Sequence, residues 1–260
     1  NLPADVVENI QMIDDYGDQA NLTGIKTGEP DQIMNITIRQ DKNYGYSLNA
    51  TGGAGRDALP APQPNGTRYE GLLNSFSFNG NRQIAILGNL NNVNANTFGF
   101  GGGGGGNNDG ITNVHTGGIN YRDQWGTKLS VYGSYSVADN TTNTDRYSKQ
   151  INFGSYNDTT ISHQSVNSIN HRFTWNMEYK PDTLNYLKIT PNYSYSSSTT
   201  NYNDRVANIY SNLAATDPLN KKYTSASLNR STWPNFGTMI LFNHKFDATG
   251  RNLNVYINAN

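Results

Sequence analysis

The chain has 260 residues, with 19 Lys and Arg against 20 Asp and Glu and a net charge of −1, which excludes a basic nucleic-acid-binding surface as its main theme. Only 15% of residues are charged and 40 are Asn, yet 17 Tyr, 9 Phe and 3 Trp argue against disorder, which needs few aromatics and high net charge. Cysteine is absent, which excludes disulfides and Cys-based zinc sites and suits an oxidising compartment, and no run of about 18 apolar residues offers a transmembrane helix.

Asn1 to Glu8 lacks the basic start and apolar core of a signal peptide. Leu2 to Asp14 places Pro3 at a first helical turn, with Asp5 and Glu8 near the positive end of the helix dipole, so a short helix is expected. Ile10, Met12 and Ile13 then form a brief strand, and Ile33 to Arg39 alternates as a second. One helix and two strands within about 40 residues make a small α+β piece.

From Lys42 onward the pattern has period two. In Thr127 to Ala138, Leu129, Val131, Gly133, Tyr135 and Val137 share one face while Lys128, Ser130, Tyr132, Ser134 and Ser136 share the other. Ile169, Phe173, Trp175, Met177 and Tyr179 oppose Asn170, Arg172, Thr174, Asn176 and Glu178. Leu187, Ile189, Pro191, Tyr193 and Tyr195 oppose Lys188, Thr190, Asn192, Ser194 and Ser196. Weaker alternations at Tyr44–Gly52, Leu72–Phe78, Ile84–Leu90, Gly117–Tyr121, Ile240–Phe246 and Leu253–Ala259 bring the expected total to about nine strands.

Connection lengths alternate too. Asn79–Asn81, Asp123–Gly126, Lys180–Asp182 and Asp247–Gly250 read as tight turns, whereas Gly55–Thr67, Asn92–Gly110, Asp139–Gln164 and Ser197–Asn235 read as long polar connections. Short turns at one end of a sheet and long loops at the other, joined by segments with one apolar face, are the pattern of an outer-membrane barrel. A β-sandwich or an extracellular solenoid gives the same alternation but seldom sorts its loops this way.

Two stretches also carry a family resemblance. Leu2 to Asp14 followed by Asp31 to Gln40 (DQIMNITIRQ) resembles the end of the plug domain of TonB-dependent receptors. Tyr44-Gly45-Tyr46 through Gly52, Phe76 to Gly80, Asn91-Asn92, Gly101 to Gly106 and Gly117 to Tyr121 resemble the related Bacteroidetes outer-membrane β-barrel family. The resemblance implies an antiparallel up-and-down transmembrane β-barrel, mainly β and partial at about nine strands, preceded by a small α+β plug segment. It implies residues 1–40 as the C-terminal part of a plug and 41–260 as the N-terminal part of the barrel, a fragment of a longer receptor. Its partners would be outer-membrane lipid, the TonB energy-coupling complex of the inner membrane, and an unknown small ligand, glycan or peptide.

Other signals are weaker. Phe98 to Gly106 lacks the following helix that a phosphate cradle needs and reads as a flexible surface loop. Asp14, Asp15 and Asp18 fit no calcium loop and read as a solvated turn. His115, His163, His171 and His244 lack metal-ligand spacing, so neither metal nor cofactor is expected. No nucleophile elbow or supported catalytic triad emerges, and the chain is not expected to be an enzyme. Tyr147, Tyr156, Tyr202, Tyr210 and Trp233 fall in the long connections and are the candidate ligand contacts, because aromatics stack on sugars and other flat surfaces. The competing expectation is a secreted or cell-surface β-rich binding or adhesin domain using Asn92–Gly110 and Ser197–Asn235 as its contact surface.

Overall fold

In the computed structural model the described residues are 4–23, 26, 28–57, 66–95, 110–153, 156–210, 213–214, 216–246 and 251–260. The chain is mainly β. An N-terminal hairpin pairs β1 (Val7–Asp15) with β2 (Asp31–Ile38), joined through the six-residue helix α1 (Asp18–Thr23). The helix expected near Leu2 is a single 3₁₀ turn at Ala4–Val6, because the residues after it alternate and pair along β2 instead of continuing a helical period. Helix α1 falls where no helix is expected. Its first residue, Asp18, is an acidic residue at the end where the helix dipole favours one.

The remaining strands are β3 (Tyr44–Arg56), β4 (Thr67–Asn79), β5 (Arg82–Asn91), β6 (Ile111–Trp125), β7 (Leu129–Ile151), β8 (Tyr156–Tyr179), β9 (Asn185–Tyr210), β10 (Lys221–Lys245) and β11 (Asn252–Ala259). They form one antiparallel sheet whose spatial order follows the chain, an up-and-down meander without crossovers. Each of the nine expected strands overlaps one of these, with Thr127 and Lys128 falling just outside β7 and Phe246 just outside β10. The register is regular throughout the eight pairings, so each side chain keeps its face across the sheet. Opposite Pro191, which has no N–H to donate, the β8–β9 ladder skips Trp175 and Asn176 and resumes in the same register.

Two expected loops are corrected. Asp139–Gln164 and Ser197–Asn235 are mostly strand: β7 runs to Ile151, β8 starts at Tyr156, β9 runs to Tyr210 and β10 starts at Lys221. These extensions are wet on both faces, so hydrophobic periodicity cannot reveal them. Side-chain bonds between strands take the place of apolar packing. Thr112 and Thr142 share a hydroxyl hydrogen bond of 2.9 Å, and Asn167 donates to Asp139 at 2.8 Å and to Thr141 at 2.9 Å.

Short turns do gather at one end. Gly80 (φ 63°) and Gly126 (φ 67°) take the left-handed conformation their turns require. The turn expected at Asp247–Gly250, and most of the glycine-rich connection after β5, lie outside the described residues. What is described of that connection is tied down at its base. Asn94, with φ 58°, donates to the Gly110 carbonyl at 2.9 Å and accepts from the Thr112 N–H at 2.8 Å. Asn91 beside it is fully buried and bonds the Val93 and Ala95 amides and the Ala95 carbonyl.

Candidate functional site

Register assigns every strand residue to one of two faces. One transverse row reads Leu48, Ser75, Ile86, Ile119, Tyr135, Phe173, Tyr193 and Phe236. Of the exposed large hydrophobic residues on β3 to β11, all but Tyr223, Trp233 and Tyr256 lie on this apolar face. Only six apolar residues of the described chain are buried, among them Val131 and Leu241. A single sheet with so small a core leaves its apolar face needing a cover.

That face is banded along the strands. Trp125, Leu129, Tyr179 and Leu187 make one row, and Val137, His171 and Tyr195 make another. Tyr121 and Trp175 stack at 5.7 Å across Gly133, whose missing side chain makes room: a Cβ there would stand 2.5 Å from the Trp175 ring and 2.4 Å from the Thr174 carbonyl oxygen. Tyr135 and His171 share a 2.8 Å hydrogen bond, and the Tyr195 ring lies 5.9 Å from His171. From 171 to 179 the strand rises roughly 26 Å at about 3.3 Å per residue. Tilted by about 40°, it spans roughly 20 Å in height, near the about 25 Å apolar belt of a membrane barrel. Beyond His171 the same face turns mostly polar, with Asp139, Asn143, Asn201 and an Asp145–His163 pair at 2.6 Å, although Leu90, Tyr147, Ile151, Ile161 and Leu228 stay exposed on it.

The opposite, polar face carries Ser, Thr or Asn at about half of its positions, most densely on β7 to β10. Near the short-turn end, Lys188 is buried there and donates to Asp18 of α1 at 2.6 Å, with Glu178 at 3.8 Å. Tyr132 donates to Glu178 at 2.8 Å. Asp18 is therefore an anchor of the N-terminal unit against the sheet, a correction to its reading as part of a solvated turn. Sequence periodicity places Lys188 and Glu178 on a wet face but gives no sign that a residue 170 positions away meets Lys188. Higher on the same face, Ser136, Asn170, Arg172, Ser194 and Ser196 line a cavity of about 210 Å³ in which Ser196 donates to Asn170 at 2.7 Å.

The five candidate aromatics all sit on strands, not loops. Tyr156, Tyr202, Tyr210 and Trp233 share the polar face, and Tyr147 is on the other. Tyr156 and Tyr210 are cross-strand partners with ring centroids 5.5 Å apart. Trp233 lies opposite Ser196, beside the cavity. Tyr223 belongs with these residues by face, is exposed like Trp233, and is missed by sequence reasoning because its segment reads as loop.

The four histidines are dispersed, and among the described residues no group of three His, Cys, Asp or Glu is placed to hold a metal ion. Among the same residues no helix is long and apolar enough to cross a membrane, which says nothing of strands. Comparisons with protein-family models and with curated proteins find no match to this chain.

Proposed function

We propose that the chain is part of an outer-membrane receptor or transporter, its nine-stranded sheet forming a section of barrel wall and its N-terminal β1–α1–β2 unit forming part of a plug against the lumen side. The observation that carries this reading is the segregation of exposed apolar side chains onto one face, where they are densest in a belt between the Trp125–Tyr179 row and the His171–Tyr195 row and sparser beyond it. Lipid is the cover that such a belt fits. The polar face then lines the lumen, and the ion pair between Asp18 and Lys188 puts the N-terminal unit on that side.

Strands β3 and β11 each have a partner on one side only among the described residues. Further strands would complete the barrel, since an open, flat and apolar edge invites aggregation. Ligand would enter at the end bearing the long β7–β8 and β9–β10 hairpins. The resemblance to TonB-dependent receptors adds the proposal that an inner-membrane complex energises plug movement. The reading assigns no catalysis to the chain.

The test is fractionation of the full-length protein. Recovery in the outer membrane, solubility only with detergent, and slower electrophoretic migration after boiling are the expected results. A monodisperse protein that stays in solution without detergent contradicts the proposal and favours a secreted binding domain.

A further inference from the structure

Three exposed large hydrophobic residues break the rule that such side chains lie on the apolar face of the sheet, and all three are aromatic: Tyr223, Trp233 and Tyr256. Trp233 is 58% exposed and Tyr223 53% exposed, so neither is held by packing. Both share their face with Tyr202 and with the Tyr156–Tyr210 pair. Measured on β9, Trp233 is level with residue 196, Tyr202 lies six residues further, Tyr223 is level with residue 206, and Tyr210 with Tyr156 follows at the end of the strand. At about 3.3 Å per residue the steps are roughly 20, 13 and 13 Å. Tyr256, level with Lys188 through Leu241, continues the series to the contact with α1.

The wall between Trp233 and Tyr202 decides what these rings can hold. Every residue on this face at positions 138–144, 164–170, 196–202 and 227–233 is uncharged, mostly Ser, Thr or Asn, with Ala138, Gln164, Val166 and the two aromatics the exceptions. Arg172 marks the lower limit and Asp204 the upper. An acidic or cationic ligand finds no counter-charge there, and a bare apolar one leaves the hydroxyl and amide groups without partners. A sugar satisfies both surfaces, because its C–H face stacks on an aromatic ring while its hydroxyls exchange hydrogen bonds with Ser, Thr and Asn side chains.

We infer that the polar face carries an aromatic staircase, Tyr210 with Tyr156, then Tyr223, Tyr202 and Trp233, that binds a neutral glycan chain. The inference rests on the membrane-barrel reading, since only there is this face a lumen wall. The small cavity beside Trp233, lined by Ser136, Asn170, Ser196 and, at the lower limit of the uncharged stretch, Arg172, receives one sugar of the chain.

The experiment uses the full-length protein in detergent micelles, probed with an array of neutral and acidic glycans and with linear α- and β-glucan oligosaccharides in calorimetric titrations. At least one neutral glycan binds. Trp233→Ala weakens that binding by about tenfold, and Tyr202→Ala and Tyr223→Ala by about fivefold each, as expected for loss of a stacking ring. Trp233→Phe keeps most of the affinity, and Tyr147→Ala, on the opposite face, leaves it unchanged. Slower migration after boiling and insertion into liposomes are recorded on the same samples. A protein that passes both and binds no neutral glycan, or binds one equally well as Trp233→Ala, overturns the inference and leaves the barrel reading standing. Failure of both overturns the barrel reading and the inference with it.

Discussion

Lys188 on β9 and Asp18 on α1 are joined by a 2.6 Å hydrogen-bonded ion pair that spans 170 residues of sequence. The lysine is almost wholly buried, the aspartate about one-third exposed, and Glu178 stands behind the ammonium at 3.8 Å. Removing the cation leaves two carboxylates facing each other at reduced hydration. Lys188→Met is expected to loosen α1 by about 1–2 kcal/mol, discounted from a fully buried pair for the exposure of Asp18. Hydrogen exchange across residues 18–23 checks it. The swap Asp18→Lys with Lys188→Asp should restore part of the protection, and no recovery in the double variant contradicts a specific pair.

Trp175 and Thr174 are neighbours on opposite faces of β8, and a positive charge distinguishes the two faces. Trp175→Arg places a guanidinium in the apolar belt at a cost of about 2–4 kcal/mol near the bilayer midplane, whereas Thr174→Arg faces the polar side and costs little. Assembly yield in the outer membrane is the readout. Equal yields from the two variants contradict the assignment of faces.

The nine strands are legible in the sequence wherever one face is greasy, as from Leu129 to Val137 and from Phe173 to Tyr179. The upper halves of β7 to β10 are not, because Thr141, Thr142, Ser198 and Thr199 leave both faces wet and periodicity carries no signal. The candidate aromatics read as loop residues in the sequence. Their real relationship, four on one face and Tyr147 on the other, depends on a register that the sequence does not state. The contact between Asp18 and Lys188 is illegible for a similar reason, since nothing local to either residue names the other.

Gly133 makes a sharper test of packing on the apolar face. A Cβ there would meet the Thr174 carbonyl oxygen at 2.4 Å and the Trp175 ring at 2.5 Å. Gly133→Ala is expected to destabilise the sheet by about 1–3 kcal/mol, as overpacking does. Trp175→Ala in the same chain should recover only part of this, because the backbone contact stays. Full recovery, measured by the temperature at which boiling-dependent migration changes, contradicts the backbone clash.

Asp182 governs the short turn before β9. Its carboxylate is held below its ordinary value of 3.8, first by the Asn185 side-chain amide and then by the Leu184 backbone N–H, with the Asn185 N–H adding to both. A depressed folded-state pKa means that the stabilisation is fully present above the ordinary value and is lost as pH falls through the lower, folded-state one. Protection of the Leu184 and Asn185 amides should therefore persist at pH 5 and fall below about pH 3.8. Asp182→Asn should remove the pH dependence. Protection that is flat with pH in the native protein contradicts the role of the carboxylate.

The apolar belt is tested most directly by lipid contact. Single cysteines, absent from the natural chain, are placed at Phe173, Met177, Thr174 and Asn176 of the full-length protein, labelled with a fluorophore and reconstituted in bilayers containing a quencher confined to the acyl chains. Quenching at positions 173 and 177, with little at 174 and 176, is the predicted result. Equal quenching at all four positions, or none at any, contradicts the placement of this sheet in a membrane.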